Sequence, residues 1–183
     1  MTIPENWPEM VIRFWFGELK PEVWFTRNEA VDAAIRERFV DFYEWARTQR
    51  ADALVTTAQR ALAAVIVLDQ FPRNLFRNSP QAFATDTLAL DVSQRAISAA
   101  VDQELTRQQR VFLYMPFQHS EERAVQVRSI ELFSALGDQD TLGYARKHKD
   151  VIDRFGRYPH RNATLGRAST PEEVEFLRTH SGF

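Results

Sequence analysis

The chain has no cysteine, which removes disulfides, a thiolate nucleophile and cysteine metal sites at once. Glycine is scarce, 6 among 183 residues. No glycine-rich loop able to cradle a phosphate is present, since Gly137, Gly143, Gly156 and Gly166 are too scattered. Strand-like alternation is nearly absent as well. So are long apolar runs: the longest, Ala61 to Leu68, is far too short to span a bilayer. Met10 to Phe16 is apolar but interrupted by Arg13, unlike a signal peptide. Charge of one sign is also missing. Lys plus Arg is 23 and Asp plus Glu is 25, a net charge of −2, so no global field favours nucleic acid or an anionic membrane. The expectation is a soluble, cytoplasmic protein.

What is present favours helix. Low glycine with abundant Ala, Arg, Glu and Leu raises helix propensity. The chain reads as all-α, about eight helices in an antiparallel array, forming one domain over residues 1–183. Asn6 and Glu9 have capping-box spacing for a short aromatic helix that stops at Gly17. Asn28 caps a helix to about Ala46, with Val31, Ile35, Phe39 and Phe42 as its apolar stripe. A third helix runs from about Thr57 to Phe71 and is stopped by Pro72. A short turn follows from Ser79 to Phe83. Thr85 caps a fourth helix, and Thr106 starts a fifth that Pro116 ends. Ser120 caps a sixth, with Val127, Ile130, Phe133 and Leu136 facing inward, and Gly137 closes it. The seventh starts near Asp138 and stops at Gly156, with His148 in line with Leu142, Ala145, Ile152 and Phe155. Thr170-Pro171-Glu172-Glu173 opens an eighth. All four tryptophans lie in the first quarter of the chain and read as a core plug or a ligand cage.

Three helices therefore end near proline and polar groups: Phe71-Pro72-Arg73-Asn74, Met115-Pro116-Phe117-Gln118-His119, and Tyr158-Pro159-His160-Arg161-Asn162. In an antiparallel array, odd-numbered helices end on the same side, which would gather these turns. Asp69 continues the buried stripe of the third helix into its last turn, where a carboxylate opposes the helix dipole and calls for a cation. From Tyr144 to Arg167 there are seven Lys or Arg and two acidic residues.

The candidate ligand-binding residues are Asp69, Arg73, Asn74, His119, His148, Arg157, His160, Arg161 and Asn162. Arginine forks suit carboxylate or phosphate, so a small anionic molecule is one partner. The other reading is an ion-pair knot in which Asp69 pairs with an arginine and the Asn side chains tie down loose backbone. Metal binding is not indicated, because no histidine pair has diagnostic spacing. No nucleophile stands out, and no cofactor is implied. The alternative function is a peptide- or protein-interaction module with a concave aromatic face around Trp24, Phe25 and Tyr43.

Several stretches carry a resemblance. They are Asp69-Gln70-Phe71-Pro72-Arg73-Asn74-Leu75-Phe76-Arg77, Ser79-Pro80 with Ala82-Phe83-Ala84-Thr85-Asp86, and Phe112-Leu113-Tyr114-Met115-Pro116-Phe117-Gln118-His119-Ser120-Glu121. Asp150-Val151-Ile152, Arg154 to Asn162, Leu165-Gly166-Arg167 and Ser169 to Glu173 add to them, as does Phe14-Trp15-Phe16-Gly17. Together they resemble a bacterial family catalogued as domain of unknown function 924. The resemblance implies a tetratricopeptide-like helical fold and brings no reaction, cofactor or catalytic residue. The chain departs from it at Gln118, where an acidic residue is the commoner expectation.

Overall fold

The computed structural model describes residues 3–180, and every regular element among them is helical, with no strand. The α-helices are α1 (Trp7–Ile12), α2 (Glu29–Ala46), α3 (Ala58–Val65), α4 (Phe71–Leu75), α5 (Asp86–Ser98), α6 (Arg107–His119), α7 (Arg123–Ala135), α8 (Gln139–Phe155) and α9 (Pro171–Leu177). Two stretches, Arg13–Glu18 and Ile66–Gln70, are wound as π-helix. Contacts divide the chain into two compact units. The first is Met1–Arg77 with Gln81–Pro116, and the second is Asn78–Pro80 with Phe117–Phe183. No described helix is long and apolar enough to cross a membrane.

The first unit is built around the longest apolar run. Every residue from Ala61 to Leu68 is fully buried, as befits a helix that is apolar on all sides. α1 and α5 pack on α3, and α2 packs on α4. Phe14, Trp15, Phe39, Phe71 and Phe112 interlock beside them at centroid separations of 4.9–6.3 Å. Trp7 and Trp15 are therefore core. Trp24 and Trp45 are half-buried, and Trp24 donates its indole N–H to the Trp15 carbonyl at 2.8 Å.

Three expected helix stops are overturned. Gly17 does not end the first helix, which continues through Arg13–Glu18 as a π turn, and Asn6 makes no side-chain cap there. Burial of Phe14 and Trp15 outweighs the glycine, whose cost in a helix is about 1 kcal/mol. Pro116 lies inside α6, which runs on to His119. Pro72 does not end its helix either. The π turn Ile66–Gln70 leads straight into α4, and Pro72 occupies its first turn, where a missing N–H is tolerated.

Beside Pro72, the Leu68 carbonyl takes a donor from outside its own helix. The hydroxyl of Thr85 donates to it at 2.5 Å. Thr85 stands at the N-cap of α5 but makes no capping bond with its side chain. Ser93, fully buried, donates likewise to the Leu113 carbonyl near Pro116. Thr85→Val keeps the shape and removes the donor. It is expected to lower the unfolding free energy by about 1–3 kcal/mol in urea titration. A change within about 0.5 kcal/mol would show the carbonyl to be satisfied otherwise.

In the second unit α7 packs on α8. α8 begins at Asp138, whose carboxylate accepts from the Asp140 and Thr141 amides, and ends at Gly156 with φ +70°, where the Gly156 N–H donates to the Ile152 carbonyl at 2.8 Å. The inward face of α8 is Leu142, Ala145, His148, Val151 and Ile152. Val151 and Ile152 form a core with Tyr158, against which Phe155 and Phe176 pack.

The inward face of α7 differs from the expected apolar stripe. Gln126, Ser129, Leu132 and Phe133 are buried, while Val127 is 49% exposed. Ser120 also fails to start this helix, which has Glu122 at its N-cap; the Ser120 hydroxyl accepts from the Glu122 amide instead. α9 carries the capping box foreseen at Thr170 and Glu173.

Candidate functional site

Asp69, Arg73 and Asn74 belong to the first unit, and the other six candidates to the second. Each group is bonded within its own unit as follows.

Asp69 lies in the π turn Ile66–Gln70, fully buried. Gln70 donates to its carboxylate from the next position, and the Arg73 guanidinium is 3.4 Å away. The expected cation is thus one turn further along the same helix. Arg73 also forms a two-pronged pair with Asp86 at 2.9 and 3.0 Å, in the first turn of α5. Asn74 donates to Asp32 of α2 at 2.7 Å, and Arg77 donates to the same carboxylate at 2.6 and 2.8 Å. Burial alone would raise the Asp32 pKa, but these donors from Arg77 and Asn74 bring it below the usual carboxylate value. These bonds tie α4 to α2 and α5.

In the second unit, the segment after Gly156 is held by two forked pairs. Arg157 grips Glu173 at 2.7 and 2.9 Å and reaches the Ala168 carbonyl at 2.8 Å. Glu173 is buried, also accepts from the Thr170 amide at 2.7 Å, and has the Asn162 amide group at 3.3 Å. The Arg157 hydrogen bonds are the main reason its carboxyl titrates low, at about 2. Arg167 grips Glu121 at 2.7 and 2.9 Å, and Glu121 accepts from the Tyr158 amide at 2.8 Å. Burial would raise the Glu121 pKa, yet the Arg167 and Tyr158 donors hold it below its ordinary value. Arg157 and Asn162 thus fasten α9 and the turn to each other.

That fastening positions a cluster around Tyr158. The His148 ring meets Tyr158 edge-on at 5.8 Å, the His160 ring lies 5.6 Å from it, and the Arg161 guanidinium sits 4.7 Å over its face. His119, the last residue of α6, is 6.2 Å from His148. His148 is buried, with Nδ1 donating to the Tyr144 carbonyl at 2.8 Å, a bond that places the ring proton on Nδ1. Burial, reinforced by the nearby His119, Arg161 and His160, pushes its pKa down to about 3. The ring is neutral near neutral pH.

Gln126 underlies this cluster. Its amide group faces the carbonyls of Phe117, Gln118 and Ser120 at 3.2, 2.9 and 2.7 Å, and the Tyr158 oxygen at 2.8 Å. Tyr158 donates its own hydroxyl to the Gln118 carbonyl. One buried amide therefore caps the end of α6 and fixes the tyrosine. The sequence reading missed Gln126 and Tyr158 as parts of the site, and Glu121 and Glu173 as its braces. Glu173 was visible only as a capping acid, and Tyr158 only as the residue before a proline.

Among the described residues, no three His, Asp or Glu side chains come together as a metal site. Of the rings expected to line a peptide groove, Tyr43 is buried and Trp24 half-buried, while Phe25 is 68% exposed.

Residues 11–181 match the model of the family described as "Bacterial protein of unknown function (DUF924)". A solved structure, that of the protein of unknown function ATU0120 from Agrobacterium tumefaciens, is similar with a TM-score of 0.89 and 38% sequence identity. The match covers 94% of this chain and 97% of that one. No curated protein sequence matches.

Proposed function

Starting from a chain that belongs to the bacterial family of unknown function DUF924, we propose that its second unit binds a small molecule through a carboxylate or phosphate group. The residues that carry the reading are His119, His148, His160 and Arg161. The observation behind it is the gathering of two imidazoles, His148 and His160, and the Arg161 guanidinium around one buried tyrosine, with His119 beside His148, at a turn clamped by Arg157–Glu173 and Arg167–Glu121. Rigid support of this kind is what a binding constellation needs. Arg157 and Asn162 serve the site by holding the turn. Asp69, Arg73 and Asn74 brace α4 in the first unit.

A thermal-shift screen of small carboxylates and phosphates tests the reading. A ligand at about ten times its Kd is expected to raise the melting temperature by roughly 3–5 °C. Arg161→Lys keeps the charge and removes the fork, and should cut the shift to less than about half. An anion that stabilises this variant as well as the wild type binds elsewhere.

A further inference from the structure

The outer face of α8 carries side chains that the fold does not use. Gln139, Asp140, Tyr144 and Lys147 are exposed, Tyr144 at 58%, and with Gly143 they line a hollow of ≈ 320 Å³. The Lys147 ammonium lies 5.1 Å from the centre of the Tyr144 ring. Among the described residues, neither Lys147 nor the Asp140 carboxylate has an ion pair. Gly143 stands inside the helix, where glycine weakens the helical backbone. A Cβ at this position would meet no described atom within 4 Å, so packing within the chain does not call for glycine here. Close approach by another molecule does.

This face is symmetric about its middle. Asp140 and Lys147 are seven residues apart, about 10 Å along the axis, and Gly143 and Tyr144 are the two residues midway between them. Spacings of three, four and seven put all four on one stripe. A second α8 laid antiparallel across the first, on a twofold axis between Gly143 and Tyr144, brings Asp140 of each copy opposite Lys147 of the other. The same register sets each Tyr144 against the other copy's Gly143, where the hollow receives its ring. We infer that the outer face of α8 docks on the same face of a second copy of this chain, as an antiparallel twofold dimer. Charges of both signs placed evenly about the midpoint complement that face itself. The inference is independent of the anion-binding reading above.

Sedimentation equilibrium of the full chain, from about 1 μM to about 1 mM, tests it. One helix against one helix is a small contact, so a reversible dimer with a Kd of about 10–100 μM is expected. Lys147→Asp makes the face acidic and Asp140→Lys makes it basic. Each variant alone should dimerise at least about tenfold more weakly. Mixed in equal amounts, the two should form a heterodimer about as tight as the wild-type dimer, which also shows that both are folded. Gly143→Leu fills the hollow and should abolish the dimer while leaving the helical circular dichroism unchanged. A wild-type chain that is monomeric at every concentration overturns the inference and leaves the hollow to another occupant. A dimer unmoved by either charge reversal overturns it by placing the contact elsewhere. Two variants that stay monomeric when mixed overturn the pairing of Asp140 with Lys147.

Discussion

Gln126→Leu is expected to lower the melting temperature by about 6–12 °C, equivalent to roughly 3 kcal/mol. The side chain is fully buried, and its amide group meets three main-chain carbonyls and the Tyr158 oxygen. Leucine has a similar volume but no donor. The carbonyls at the end of α6 would then stay buried with Tyr158 as their remaining donor, at about 1–3 kcal/mol for each group left bare. Helix ends buried without partners are costly for this reason. Differential scanning calorimetry reads the shift directly. A loss of less than about 2 °C would mean that the chain end reorganises to reach water, and the role given to Gln126 would be wrong.

Acidification supplies the second large effect. The folded protein holds His148 at about 3, against an ordinary value of 6.5. Between these values the unfolded chain binds a proton that the folded chain refuses. Stability is therefore full above the ordinary histidine range and falls as pH drops, by up to about 1.4 kcal/mol per unit. The carboxyls of Glu173 and Glu121 are shifted downward. Their contributions are present above the ordinary carboxylate value and are lost only below it. From about pH 6.5 to about pH 4.5 the slope thus reports histidines. His148→Gln should flatten the dependence of unfolding free energy on pH by close to one proton, measured in urea at several pH values. Parallel curves for the two proteins would rule out His148 as the source.

Local signals were legible wherever a single residue supplies the partner. Asn28 accepts from the Ala30 and Val31 amides, Asp138 from those of Asp140 and Thr141, and Thr170 from that of Glu173. Gly156 closes α8 because its positive φ suits it. These are interactions within a few residues, and spacing reveals them. The prolines were misread because the rule that proline stops a helix leaves out donors from elsewhere in the fold. Leu68 finds one in Thr85, which no local pattern displays. The inward face of α7 was misread for a related reason. Hydrophobic periodicity assigned Val127 to the interior, whereas Gln126 belongs there because its partners are carbonyls of the preceding helix.

The candidate residues were legible as types. Arginine, histidine and asparagine crowded into the Arg157–Asn162 turn mark a polar structure. Which of them brace and which present themselves depends on where Glu121 and Glu173 fall, 37 and 16 residues from their partners Tyr158 and Arg157. The need of Asp69 for a cation was readable from burial and helix dipole together, and Arg73 stands beside it.

The bond from Thr85 to the Leu68 carbonyl also bears on the order in which the chain folds. Ordinary helical hydrogen bonds span four residues and zip up within a microsecond. This one spans 17, across a loop whose closure costs entropy before any bond rewards it. The helical rod from Ala58 to Leu75 can nucleate early, but the Leu68 carbonyl gains its Thr85 donor only when the start of α5 arrives. One bond to the rod is thereby made to wait for tertiary assembly, which ties the rod and its neighbour into a single cooperative step.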